Sequence, residues 1–225
     1  MQYQRIMKEL KAMGNQRDRE GMARFGINTE KAFGISVTKL RKYARKIGKN
    51  HELAQQLWDS GAHEARILAG IVEEPEKFSE RNMEKWAAES SSWDIVDLSC
   101  NNVFRKTPYA YKKCFEYSKR KEEFVKRTAF ALMAYYAWND RTISDRKLEK
   151  FLPIIKREAT DERLYVKKAV NWALRQIGKR NARLQKKSIK TAKEIQKIDS
   201  KSAKWIANDA LKELQSDAVQ KRIKN

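Results

Sequence analysis

The chain has 225 residues and a formal net charge of +21, from 50 Lys and Arg against 29 Asp and Glu. Its 8 Gly and 3 Pro are too few for a loop-rich all-β fold, and the abundance of Lys, Glu, Ala, Leu and Arg reads as mostly helix. The two histidines, His51 and His63, and the two cysteines, Cys100 and Cys114, stand at no metal-ligand spacing, so no zinc site is expected.

The N-terminus is polar and charged from Gln2 to Lys11, so no signal peptide is expected. Ser36 is placed to cap a helix running to about Ile47 and ended by Gly48. The next helix covers Glu64 to Glu73, and Pro75 sits near the start of another. Trp93 to Phe104 forms a further helix before Thr107-Pro108. Helical stretches follow near 108–119, 121–138, 143–157, 161–177, 183–196 and 200–214, broken by no Gly or Pro apart from early prolines that suit a first turn. The longest apolar run, Thr128 to Trp138, is too short to span a bilayer. No membrane is expected as a partner; a cytoplasmic, nucleoid-associated location and thiols kept reduced are.

A faint repeat runs through the second half. Val125–Met133 aligns with Val166–Leu174 and then with Ala203–Leu211, at spacings of 41 and 37 residues. That period matches HEAT-type helical pairs of about 40 residues. Such a pair cannot bury its apolar face alone, so neighbours stack into a curved array with a concave surface. The expected fold class is all-α: an α-α superhelix of the right-handed type made of HEAT-like helical repeats, in one domain spanning 1–225. A monomer is the default for such an array around DNA.

A charge of this size attracts phosphate backbones and speeds encounter with them. The helix after Ser36 carries Lys39, Arg41, Lys42 and Arg45. A second cluster holds Arg175, Lys179, Arg180, Arg183, Lys186, Lys187 and Lys190, with no acidic residue among them. Charge runs are often only solvated faces, but the missing carboxylates in the second cluster favour phosphate contact there. No zinc-finger spacing or RNP aromatic pattern is present, so readout of shape or damage is expected over readout of sequence.

In Ser91-Ser92-Trp93-Asp94-Ile95-Val96-Asp97, Trp93 and Asp97 stand four residues apart and share one helix face. An aromatic plane beside a carboxylate suits a cationic ring. Ser91-x-x-Asp94 resembles a capping box, which gives Asp94 a structural role. Tryptophans are more often core than site; Trp58, Trp86, Trp138 and Trp205 are read as core or left unassigned. Trp172 differs, because Lys168 and Arg175 flank it on its own face. Arg127 occupies the slot of Lys168 in the repeat alignment and is suited to bidentate phosphate binding.

Ser91–Asp97, Val125–Arg127 and Lys168–Arg175 resemble the HEAT-repeat alkylpurine DNA glycosylases, the AlkD-like DNA alkylation repair family. The resemblance extends from about Arg24 to Asn181. It implies that Trp93 and Trp172 are aromatic walls, Asp97 the catalytic carboxylate and Arg127 a contact to the DNA backbone. It further implies that the lesion is not extruded into a pocket, unlike the usual glycosylase pattern. The family often has two adjacent tryptophans where this chain has Ser92-Trp93, so one aromatic surface is absent.

The residues fit that chemistry. An N3- or N7-alkylated purine is cationic and already a good leaving group, and its departure leaves positive character on the deoxyribose. A carboxylate near C1′ stabilises that charge and orients water, and Trp faces add cation–π attraction of about 0.5–2 kcal/mol each. No lysine is marked as a Schiff-base nucleophile, which favours a monofunctional hydrolase. No metal or organic cofactor is expected. The expected partner is duplex DNA with alkylated purines. Two other readings stay open: a catalytically silent HEAT-like protein that binds DNA by structure, and a basic scaffold for an acidic protein or RNA.

Overall fold

The computed structural model describes residues 2–224. Among them are fifteen α-helices, two single-turn 3-10 helices and no strand. They form two compact units, one ending at Pro108 and one beginning at Tyr109. No helix of the described residues is long and apolar enough to cross a membrane.

The first unit holds α1 (Gln2–Met13), α2 (Gln16–Arg24), α3 (Val37–Ile47), α4 (His51–Asp59), α5 (His63–Val72), α6 (Glu80–Glu89) and α7 (Trp93–Asn102). Side chains of Asn15, Ser36 and Asn50 accept the backbone N–H groups left open at the starts of α2, α3 and α4. Gly48, at φ 80°, ends α3 as the sequence predicts. The central helix is α5, packed against α3, α4 and α7, and it is apolar on most of its circumference, with Ala65, Ile67, Leu68, Ala69 and Val72 buried. Trp58 of α4 and Trp86 of α6 stack at 4.1 Å and 4° in the core, with Phe78 edge-on to Trp86.

One buried carboxylate organises the loop before α3. Glu64 accepts the N–H groups of Phe33, Gly34 and Ile35 at 2.8, 2.7 and 3.1 Å. Three donors that lack a helix partner are thereby satisfied, and the loop is fixed to the first turn of α5.

The second unit holds α8 (Ala110–Tyr117), α9 (Glu123–Asn139), α10 (Asp145–Glu149), α11 (Leu152–Arg157), α12 (Leu164–Gly178), α13 (Ala182–Gln196), α14 (Lys201–Leu214) and α15 (Asp217–Lys224). The three aligned segments fall on α9, α12 and α14. Helix α12 packs on both of the others, so the three lie side by side in one layer. Behind them α8 packs on α9, α11 on α12 and α13 on α14. These are the helical pairs that the spacing predicts, each burying its apolar face against the next.

Two sequence expectations are corrected. Pro75 does not open a helix: it lies in a turn closed by Phe78 N–H to Pro75 O, and α6 starts only at Glu80, behind a reciprocal Ser79–Asn82 capping box. The stretch 143–157 is two helices, because Pro153 has no N–H to donate and takes the first turn of α11 instead.

Candidate nucleic-acid interface and active site

Trp93 opens α7 and Asp97 lies one turn later. Ile95, Val96, Ser99 and Cys100 are buried, so packing fixes the helix and leaves Trp93 and Asp97 half-buried on its other face. The Trp93 indole N–H donates to the Phe25 carbonyl at 3.1 Å, which holds the ring against the end of α2.

The start of α7 differs from the expected Ser91–Asp94 box. The N-cap residue is Ser92, whose hydroxyl makes no cap bond to the backbone and donates instead to Asp94 Oδ1. That oxygen also accepts the Ile95 N–H, at 3.0 Å. Asp94 Oδ2 lies 2.9 Å from Nε2 of His63, a side chain only 4 % exposed. Burial pushes the Asp94 carboxyl up, but the hydrogen bond and charge of His63, with Ser92 and the Ile95 N–H, outweigh it and hold the carboxyl below its ordinary value. A lone histidine 31 positions upstream gives no sign of this pairing in sequence.

In the second unit Trp172 is half-buried on α12. With the Gln176 amide turned to satisfy its neighbours, its oxygen accepts from the Trp172 indole N–H at 3.1 Å and from the Lys179 ammonium at 3.3 Å. Tyr135 meets the Trp172 ring edge-on at 5.0 Å and stacks on Trp138 at 6.0 Å. Trp138 is therefore no core residue: it is 51 % exposed. It lines a polar cavity of about 180 Å³ with Arg141, Lys179, Arg180 and Arg222. Arg141 and this aromatic row escape the sequence reading; the available signal was Tyr135 and Trp138 at i, i+3 on the helix neighbouring Trp172. Trp205 is likewise partly exposed, under the Lys167 ammonium, whereas Trp58 and Trp86 are core.

The basic residues divide into two kinds. On α3, Arg41, Lys42 and Arg45 are exposed and have no ion-pair or hydrogen-bond partner among the described residues, while Lys39 lies 3.8 Å from Asp18. The second cluster lacks acids in its own sequence but meets them from other helices. Glu213 takes Arg175 and Lys179 at 2.6 and 2.7 Å, and Glu149 takes Arg183 and Lys187 at 2.6 Å each. Arg180 donates to the Ala137 carbonyl, and Lys168 is exposed beside Trp172. Arg127 is buried, with Nη1 donating to the Tyr165 carbonyl at 2.7 Å across α9 and α12. Among the described residues no group of His, Cys, Asp and Glu is arranged to hold a metal ion.

A family model described as DNA alkylation repair enzyme matches residues 6–214. No curated protein matches the chain. A similar solved structure, described as a new family of proteins related to the HEAT-like repeat DNA glycosylases with affinity for branched DNA structures, is 22% identical, with 98% of this chain and 95% of that chain covered at a TM-score of 0.83. A designed armadillo repeat protein is 16% identical over 79% of this chain and 92% of its own, at a TM-score of 0.40. The fold is thus that of the HEAT-like repeat proteins, and the family match runs nearly end to end: the chain belongs to the DNA alkylation repair enzyme family.

Proposed function

We propose that the protein is a monofunctional DNA N-glycosylase, which hydrolyses the glycosidic bond of cationic N3- or N7-alkylated purines in duplex DNA as a step of base excision repair. The observation that carries this reading is the α7 face, where a half-buried indole and a half-buried carboxylate stand one turn apart on a helix fixed by its buried side. In this reading the single domain spans 1–225, which the extent of the family match supports, and it acts as a monomer.

Asp97 stabilises the positive charge that develops at C1′ as the base leaves and orients the attacking water. Trp93 and Trp172 offer π faces to the cationic sugar and base. Arg41, Lys42, Arg45 and Lys39 hold phosphates in the first unit. Lys168, Arg175, Lys179, Arg180 and Arg183 hold them in the second unit, with Glu213 and Glu149 as exchangeable internal partners for three of these. Arg127 contacts the DNA backbone.

The test is release of free alkylpurine from a methylated duplex. Asp97→Asn lowers release by about a hundredfold or more and leaves duplex binding intact; unchanged release removes Asp97 from the reaction. One observation favours a second reading. The similar solved structure is described as having affinity for branched DNA, and Ser92 supplies no aromatic surface beside Trp93. A catalytically silent protein that binds DNA by structure would release no base from any alkylated duplex yet retain salt-dependent binding.

A further inference from the structure

The first unit contains a cavity of about 590 Å³, of whose lining the proposed reaction uses only Trp93. This is within the size range of small-molecule sites. Its wall is mainly apolar, with Met22, Ile27, Ile35, Val37 and Ile67, and the aromatic Phe25 and Trp93 stand at its side. Phe25 is 73 % exposed, so its ring is open to a ligand seated in the cavity.

Two features make the cavity more than an apolar dent. The first is His63, which lines it and is nearly fully buried. In the neutral imidazole Nε2–H donates to the Asp94 carboxylate, which fixes the tautomer and leaves Nδ1 as an acceptor. Nδ1 has no partner among the described residues. The second is a pair of cations at the rim. Arg17 and Arg24 are seven positions apart on α2 and share a face with Gly21 between them. Both are exposed, and neither has a partner among the described residues.

A planar ligand with an N–H donor and an attached anion fits all of this. We propose that the cavity is a nucleotide site: it takes one unstacked base against the aromatic side formed by Trp93 and Phe25, with a base N–H donated to His63 Nδ1 and the adjoining phosphate held by Arg17 and Arg24. It rests on the reading that the chain binds DNA, whose strand is the source of the base; a free nucleotide has the same chemistry. The base it takes is one that has left the stack, not the alkylated purine on which Asp97 acts.

The test is fluorescence anisotropy with two labelled duplexes, one fully paired and one carrying a single bulged adenine, with unlabelled dAMP as competitor. Wild type binds the bulged duplex about tenfold more tightly, as one stacked base implies. A Cβ at Gly21 meets nothing within 4 Å, so Gly21→Phe fills open space without strain. It removes the bulge preference and leaves paired-duplex affinity unchanged. Arg24→Ala, at an exposed position, weakens only the bulged complex. Competition by dAMP that Gly21→Phe abolishes also supports the site and assigns it to free nucleotides. Equal affinity of wild type for both duplexes with no dAMP competition, or a bulge preference that survives Gly21→Phe, overturns it. If paired-duplex binding persists in that case, only the cavity assignment fails; if no duplex binds at all, the DNA reading fails with it.

Discussion

At the scale of single residues, the buried His63–Asp94 couple has the clearest consequences. Asp94→Asn leaves His63 facing an amide in place of a carboxylate, and the expected loss is about 1–3 kcal/mol in denaturant unfolding. The pH dependence follows from the lowered Asp94 carboxyl. A depressed native value means that this stability is present above the ordinary Asp range and is lost as pH falls through the native value. Below about pH 4 the wild type should therefore lose stability faster than Asp94→Asn; parallel curves would show that the couple contributes nothing. Arg127→Ala should cost about 1–3 kcal/mol by removing the guanidinium hydrogen bond that ties α9 to the Tyr165 carbonyl of α12, measured as a lowered urea midpoint. Trp93 and Asp97 are legible as a pair from their four-residue spacing alone. His63 is not, since its partner is contributed by another helix, and Trp138 hides inside an apolar run whose solvent-facing end no periodicity marks.

At the scale of elements, the loop between α2 and α3 depends on Gly34. Its φ is +82°, and a Cβ there would come within 2.1 Å of the Asn15 carbonyl oxygen and 2.8 Å of the Arg19 nitrogen. Neither backbone atom can move without disturbing the start of α2, and the Gly34 N–H is also committed to Glu64. Gly34→Ala is expected to cost more than about 1–3 kcal/mol, with a matching fall in Tm; a neutral effect would mean that the loop adapts. Helices with a polar cap or a long apolar stripe, such as α3, α9 and α12, can be read from sequence. Helix α2 cannot, because it buries no side chain and so leaves no apolar period to detect. The break between α10 and α11 turns on Pro153, which suits a first turn as readily as it interrupts a longer helix.

At the scale of the whole molecule, a net charge of +21 implies binding that weakens steeply with salt. The structure distinguishes cations that are open from those already paired, which a charge count does not. Replacing Arg41, Lys42 and Arg45 together by Ala should reduce the slope of log affinity against log salt by about 2–3. The same replacement of Arg175 and Lys179 should change it less, because Glu213 already neutralises part of their charge. Equal changes would show that DNA displaces Glu213 completely. The repeat is legible because its three segments lie on α9, α12 and α14 in one layer. The division at Pro108 is not, because Thr107-Pro108 reads like any other turn. The central claim concerns the carboxylate on α7, and the most direct measurement is release of free 7-methylguanine from a methylated duplex by wild type and Asp97→Asn side by side. Release by the wild type alone, with equal duplex binding by both, is the predicted result. Equal release by the two proteins, or none by the wild type from this or any other alkylated duplex, would contradict it.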